Sequence, residues 1–235
     1  MQAPHLRFTN SLIRFTLYTT LLLAYACSPA VPTTVAGSLQ VQYTFASQPW
    51  LTKLSDCAGN MVIKSELRSA GYLNLNNAEL VMRIGKNLQP DLPTFQVGAE
   101  DILVTVNPQN PTSRLPANQV RGLFSGQIRN WQEINHSNAP VQVWVFASGE
   151  DVQQIFNQTI LGDDMAVTSL ARLASSPDEM LQAIAADVHA VGILTRGWKA
   201  GNVNDVYSVA TVPVLAITPS EPQGALANLI ACLQK

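Results

Sequence analysis

No acidic residue occurs before Asp56, and the only basic side chains ahead of Lys53 are Arg7 and Arg14. Charge stays scarce along the whole chain: Asp, Glu, Lys and Arg make up 13% of 235 residues, so Ser, Thr, Asn and Gln carry most of the polar character. Histidine is equally rare. His136 and His189 are the two beyond the opening segment, and neither has a partner at metal-ligand or triad spacing, so each reads as a surface or capping residue. The three cysteines, Cys27, Cys57 and Cys232, form no CxxC pair, which excludes a dithiol redox motif and a zinc ribbon. GxSxG, HExxH, Walker A and GxGxxG motifs are all missing, so nothing points to a catalytic site or to a cofactor. No apolar run reaches the roughly 20 residues a bilayer-spanning helix needs; the longest, Phe15 to Ala26, is far shorter.

That short run is informative in its setting. A positive start, a brief apolar segment and small residues at its end are the layout of an export signal. It closes with Leu23-Ala24-Tyr25-Ala26-Cys27, which resembles a bacterial lipobox, with Cys27 the lipidation site. The alternative is an ordinary cleaved secretory signal beside a coincidental Cys. Ser28 to Thr34 then forms an uncharged, Pro-containing tether. Removing the signal takes two of the 14 Lys and Arg residues and none of the 16 Asp and Glu, leaving a net charge of −4. A mildly acidic chain without a basic cluster is a poor nucleic-acid binder. Exported, it meets an oxidising compartment in which Cys57 and Cys232 could pair, two free thiols being the alternative.

Beyond the tether, strands and helices alternate. Leu39, Val41, Tyr43 and Phe45 alternate with polar neighbours and predict a strand, followed by a helix that Ser47 caps and Pro49 opens. Met61–Ile63, Glu79–Ile84 and Ile102–Val106 are further strands, the last apolar enough for burial on both faces of a parallel sheet. Asn107-Pro108-Gln109-Asn110-Pro111 breaks regular structure and marks a lobe boundary. Val120, Leu123 and Phe124 define a helix face that stops at Gly126; Val141–Phe146 is a strand, and Val152–Leu161 a helix. Ser176-Pro177-Asp178-Glu179 is a capping box opening a helix to about Asp187. Ala190–Leu194 is a buried strand, and Pro222–Leu233 the last helix. The pattern predicts an α/β fold with mainly parallel sheets flanked by helices.

Val106-Asn107-Pro108-x-Asn110-Pro111, and then Val120 through Phe124-Ser125-Gly126-Gln127-Ile128-Arg129-Asn130-Trp131-Gln132-Glu133-Ile134, resemble the hinge-to-second-lobe segment of phosphate-type solute-binding proteins of ABC importers. Ala190-Val191-Gly192-Ile193 and Val212-Pro213-Val214-Leu215-Ala216 are similar to that family's return strand and to the strand before its last helix. The resemblance implies a type II, two-lobed periplasmic-binding-protein-like fold with a ligand cleft between lobes. On that basis residues 1–26 are expected as signal peptide and 27–37 as lipid-anchored tether. Residues 38–106 with 195–235 form a discontinuous first lobe, and residues 107–194 the second.

It also implies a function: an extracytoplasmic, membrane-anchored lipoprotein, monomeric and not an enzyme, that captures phosphate or another small solute and delivers it to ABC permease subunits. A sensory or interaction lipoprotein with the same fold and no transport role is the alternative. The family's anion-binding loops fall on Ser47 and Gln48, on Ser69-Ala70-Gly71, and on Ser148, Gly149, Glu150 and Asp151. Where the family reads Gly-Ser-Gly-Thr, this chain reads Ser148-Gly149-Glu150-Asp151-Val152. Carboxylates facing the cleft would repel a bare phosphate dianion and suit a cationic, zwitterionic or hydroxyl-rich solute. Alternatively, Glu150 faces solvent and Asp151 only caps its helix. Glu79 raises the same question at the second loop.

Overall fold

The computed structural model describes residues 37–87 and 89–235. The expected signal peptide, Cys27 and all but the last residue of the tether lie outside the described residues. One eight-stranded sheet organises the rest. It comprises β1 (Ser38–Tyr43), β2 (Val62–Leu67), β3 (Leu80–Ile84), β4 (Thr94–Val106), β5 (Gln142–Val145), β6 (Arg172–Leu173), β7 (Ala190–Thr195) and β8 (Asn204–Ile217), in the order β2-β1-β3-β8-β4-β7-β5-β6. The helices are α1 (Leu51–Ala58), α2 (Ala117–Ser125), α3 (Gln132–Asn135), α4 (Asp151–Phe156), α5 (Pro177–Ala186) and α6 (Gly224–Leu233). A π-helical turn, Asn157–Leu161, prolongs α4.

β4 and β8 are the spine. They pair antiparallel from Thr94↔Ile217 to Val106↔Asn204, with register breaks at Gln96/Gly98, Ile102/Leu103 and Val104/Thr105. β3 attaches to the C-terminal half of β8, and β7 to the C-terminal half of β4. Because the two strands run in opposite directions, those halves lie at opposite ends of the ribbon. One end therefore carries β3-β1-β2 and the other β7-β5-β6. Within each group neighbours are parallel, as the β-helix-β alternation requires.

Ile102–Val106 is nearly all buried, as its apolar run predicts, but both of its partners, β7 and β8, run antiparallel to it. The expectation of a parallel setting is corrected here: continuous burial reports coverage of two faces and carries no information on strand direction. β4 also begins eight residues earlier than the apolar run. Gln96, Gly98, Glu100 and Asp101 interrupt the apolar pattern in this first part of the strand and hide its signal, although Glu100 is buried. Trp50 packs on this stretch, close enough that a Cβ on Gly98 would fall 1.9 Å from its ring. Glu100 holds the crossing by accepting from Trp50 Nε1 at 3.2 Å and from the Gly197 amide at 2.9 Å.

The opening helix differs from expectation in detail. Phe45–Trp50 is a 3-10 turn running directly into α1, and its N-cap position is Thr44, not Ser47. Ser47 sits within the turn, fully buried, donating its hydroxyl to the carbonyls of Met82 (2.8 Å) and Thr44 (3.0 Å). Elsewhere local signals and structure coincide: Gly126 ends α2 in the left-handed region (φ 77°), and the Ser176 hydroxyl accepts from the Glu179 amide at the start of α5. Cys57 on α1 and Cys232 on α6 form a disulfide across a sequence separation of 175 residues. In the chain-entropy account a loop of that size stabilises by about 5 kcal/mol.

Candidate functional site

β3 reads Leu-Val-Met-Arg-Ile, with all five residues buried. An arginine in such a strand cannot stay unpaired, because leaving a cation in a low-dielectric interior costs several kcal/mol. Its partner comes from the other end of the ribbon: Arg83 Nη2 donates to Asp151 Oδ1 at 2.5 Å, with side-chain exposures of 7% and 1%. The second oxygen of Asp151 accepts from the Ile84 amide at 3.4 Å. Burial is the largest influence on Asp151 and pushes its pKa up; the charge of Arg83, then the Thr44 hydroxyl, pull it back.

Glu150 completes the junction. Its Oε1 accepts from the Ser69 hydroxyl at 2.5 Å, while Oε2 is buried without a partner. Burial raises the Glu150 pKa above its ordinary 4.5, the Ser69 bond opposes this, and the negative charge of Asp151 adds to it. Both carboxylates thus point inward, against the reading in which Glu150 faces solvent. Glu150 itself holds the N-cap position of α4 without a side-chain cap bond, and Asp151 follows it inside the helix. The cap reading of Asp151 is therefore corrected as well.

The positions singled out from sequence separate into two groups. Ser69, Glu150 and Asp151 meet at the junction, and Ser47 lies beside it, 3.4 Å from the Thr44 hydroxyl. Ser148 and Gly149 are exposed, and Ser148 lines a different groove, with Phe146, Thr168 and Leu173. Gln48 is half-buried in the 3-10 turn. Glu79 accepts from the Gln40 amide at an exposed site and takes no part in the junction. Sequence reading missed Thr44 and Arg83. The signal for Arg83 was present: a lone cation inside a five-residue apolar strand.

Two cavities flank Arg83. One of about 190 Å³ is lined by Ala70, Gly71, Leu73 and Asn87; the other, of about 430 Å³, lies between the end of β3, the inner face of α4 and the middle of β8. Among the described residues no cluster of His, Cys, Asp and Glu could hold a metal ion.

Two consequences can be measured. Arg83→Met leaves Asp151 with its burial and no counter-charge, and should cost about 3–5 kcal/mol in chemical denaturation; adding Asp151→Leu should recover most of that loss. For Glu150 the folded-state pKa exceeds the unfolded value, so the folded state holds the proton more tightly. Stability should therefore fall as pH rises from about 4.5 through the raised folded value. Glu150→Gln should flatten that slope and raise Tm at pH 7, as read by thermal unfolding across pH.

Comparison with known proteins supplies the lineage. The profile of the PBP superfamily domain matches residues 74–231, more than half of the chain. Among solved structures, a phosphate ABC transporter substrate-binding protein from Clostridium perfringens, determined with bound phosphate, superposes with a TM-score of 0.76 at 16% identity, covering 84% of this chain and 93% of that one. An ABC-type phosphate transport receptor from Vibrio cholerae gives 0.64 at 15% identity, with the same coverage of 84% and 93%. The reduced OxyR regulatory domain from Pseudomonas aeruginosa gives 0.60 at 12%, covering 85% and 98%. At such identities the likenesses speak for the type II two-lobed binding-protein fold alone. The profile match carries the further step: this chain belongs to the PBP superfamily.

Proposed function

We propose that the chain is an extracytoplasmic solute-binding protein of an ABC importer, not an enzyme, held at the membrane by a lipid on Cys27, with a solute other than a bare phosphate dianion. The fold and superfamily support the binding role. The solved relatives named for phosphate transport support the importer setting. Residues 38–106 with 195–235 act as one lobe and 107–194 as the other, joined by the β4–β8 ribbon, and the protein works as a monomer. Solute is captured between the lobes and passed to the permease subunits.

One observation carries the restriction on ligand. Where the phosphate-type family has hydroxyl and amide donors, this chain has two inward carboxylates, and the nearby cation, Arg83, is already neutralised by one of them. A dianion placed there would face Glu150 and Asp151 at close range, a repulsion of several kcal/mol in a buried setting. The same observation favours a second reading, a sensory or interaction lipoprotein. The junction donors Ser69 Oγ and Arg83 Nη2 are satisfied by the chain itself, leaving the two halves bound to each other without solute. A regulatory domain among the solved likenesses is compatible with that role.

Thermal unfolding of the full chain in mild detergent, screened against phosphate, other oxyanions, sugars and amino acids, tests both. A cognate solute should add about 2.7 kcal/mol at a hundredfold excess over its dissociation constant, whereas phosphate should leave Tm unchanged. No shift with any compound would transfer the assignment to the sensory reading. The double substitution Glu150→Ser with Asp151→Thr should free Arg83 and create phosphate binding; an unchanged response to phosphate would show that the carboxylates are not what excludes it. Cys27→Ser should release the protein from the membrane fraction, read by fractionation and immunoblotting.

A further inference from the structure

Residues 38–106 and residues 107–194 are connected through the β4–β8 ribbon, yet they also touch directly. Ser69 Oγ donates to Glu150 Oε1 at 2.5 Å, and Arg83 Nη2 donates to Asp151 Oδ1 at 2.5 Å. The Phe45 and Phe146 rings pack with their centroids 4.7 Å apart. Gly85 approaches Ile155 so closely that a Cβ on it would fall 2.9 Å from Ile155 Cδ1. These contacts draw on β3 and the turns after β1, β2 and β3 from one side, and on α4 and the turn before it from the other.

Together they shut the junction. Glu150 and Asp151 are both buried, and Glu150 Oε2 has neither a partner nor open surface. A solute cannot reach such an oxygen; a proton can, during brief local openings. Ionised, Glu150 brings into the junction a charge that nothing there answers. The Ser69 hydroxyl is neutral, Arg83 is committed to Asp151, and Asp151 repels it. The remaining charges nearby are engaged or set apart. Arg68, beside Ser69, is exposed and pairs with Glu66, and Lys86 lines the groove on the Asp151 and Gln154 side of α4. β7, which packs against α4, and the π-helical turn that prolongs it bring no ionisable side chain.

A proton on Oε2 removes that charge and leaves Oε1 free to keep the bond from Ser69. We propose that the junction is a proton-operated latch: it holds the two lobes closed on each other without a solute while Glu150 is protonated, and lets them part when Glu150 ionises. The latch rests on the two-lobe division proposed above and goes beyond it by naming what controls closure. Its direction follows from linkage. Burial raises the Glu150 pKa in the closed arrangement, the Ser69 bond opposes this and the Asp151 charge adds to it, whereas in water the carboxyl returns to its ordinary 4.5. Closure is therefore favoured in full below about 4.5 and is lost as pH rises through the raised value. Between the two values the closing constant should fall about tenfold per pH unit, the slope for one proton.

The test is the distance between the lobes in the full chain in mild detergent, without added solute. It is read by energy transfer between bioorthogonal fluorophores at the exposed positions Lys64 and Ser169, from about pH 4 to about pH 9. The distance should be short at the acid end and lengthen as pH rises, a titration that needs no variant. Glu150→Gln, neutral at every pH and able to accept from Ser69, should hold it short across the range in which the parent opens. Asp151 is present in both proteins and cannot account for a difference between them. A parent distance that does not change with pH, or a Glu150→Gln chain that opens where the parent does, overturns the latch. A solute that shifts Tm in the screen above, together with a distance indifferent to pH, removes the latch alone and leaves the solute-binding reading standing. Opening with pH and no response to any solute supports the latch and moves the assignment to the sensory reading.

Discussion

Arg83 is where a sheet strand and a distant helix are obliged to meet. It is the fourth of the five buried residues of β3, and it can remain charged there only because Asp151 arrives from the opposite end of the β4–β8 ribbon. The geometry around the pair follows from that need. Thr44 lies close enough for its hydroxyl to reach Asp151, the Ile84 amide turns toward the second oxygen, and Glu150, one residue earlier, is drawn in to meet Ser69. A buried ion pair of this sort contributes little net stability, because desolvation offsets most of the attraction, but it penalises every arrangement that separates its members. Its effect is therefore on how β3 and α4 are held against each other, more than on how stable the fold is.

The ribbon that makes the meeting possible is itself a compromise. Two strands of 13 and 14 residues run between the ends of the sheet, and the register breaks fall at three places along them. A bulge adds local twist and relieves the ladder where it occurs. The polar, half-exposed middle, from Gly98 to Asp101, is clamped by Trp50 and Glu100 through contacts with the Phe45–Trp50 turn and Gly197. The crossing is thus held by a few directional bonds together with the apolar packing of Val97, Val209 and Trp50.

Much of the fold was legible in the residues because the relevant interactions are local. Alternation in Ser38–Tyr43, the apolar block Ala190–Leu194, the Ser176 cap and Gly126 each record a neighbour-to-neighbour constraint. What escaped was non-local. Strand direction in β4 depends on where β7 and β8 return, and nothing in Ile102–Val106 encodes that. Ser47 has the composition of a cap, yet its hydroxyl is captured by the Met82 carbonyl 35 residues away, which moves the cap position to Thr44. The departure at Glu150 and Asp151 was visible as a pair of acids where donors were expected. Their direction was not, because it is set by Arg83 and Ser69, residues 68 and 81 positions distant.

Charge counting at the junction shows why the departure reaches beyond one loop. One guanidinium faces two carboxylates in a buried space, and one carboxylate oxygen there, Glu150 Oε2, has no partner. Such a site lowers its free energy by taking up a proton or by admitting a positive group, and it raises it by admitting an anion. Two adjacent side chains, Glu150 and Asp151, thus set the sign of the junction.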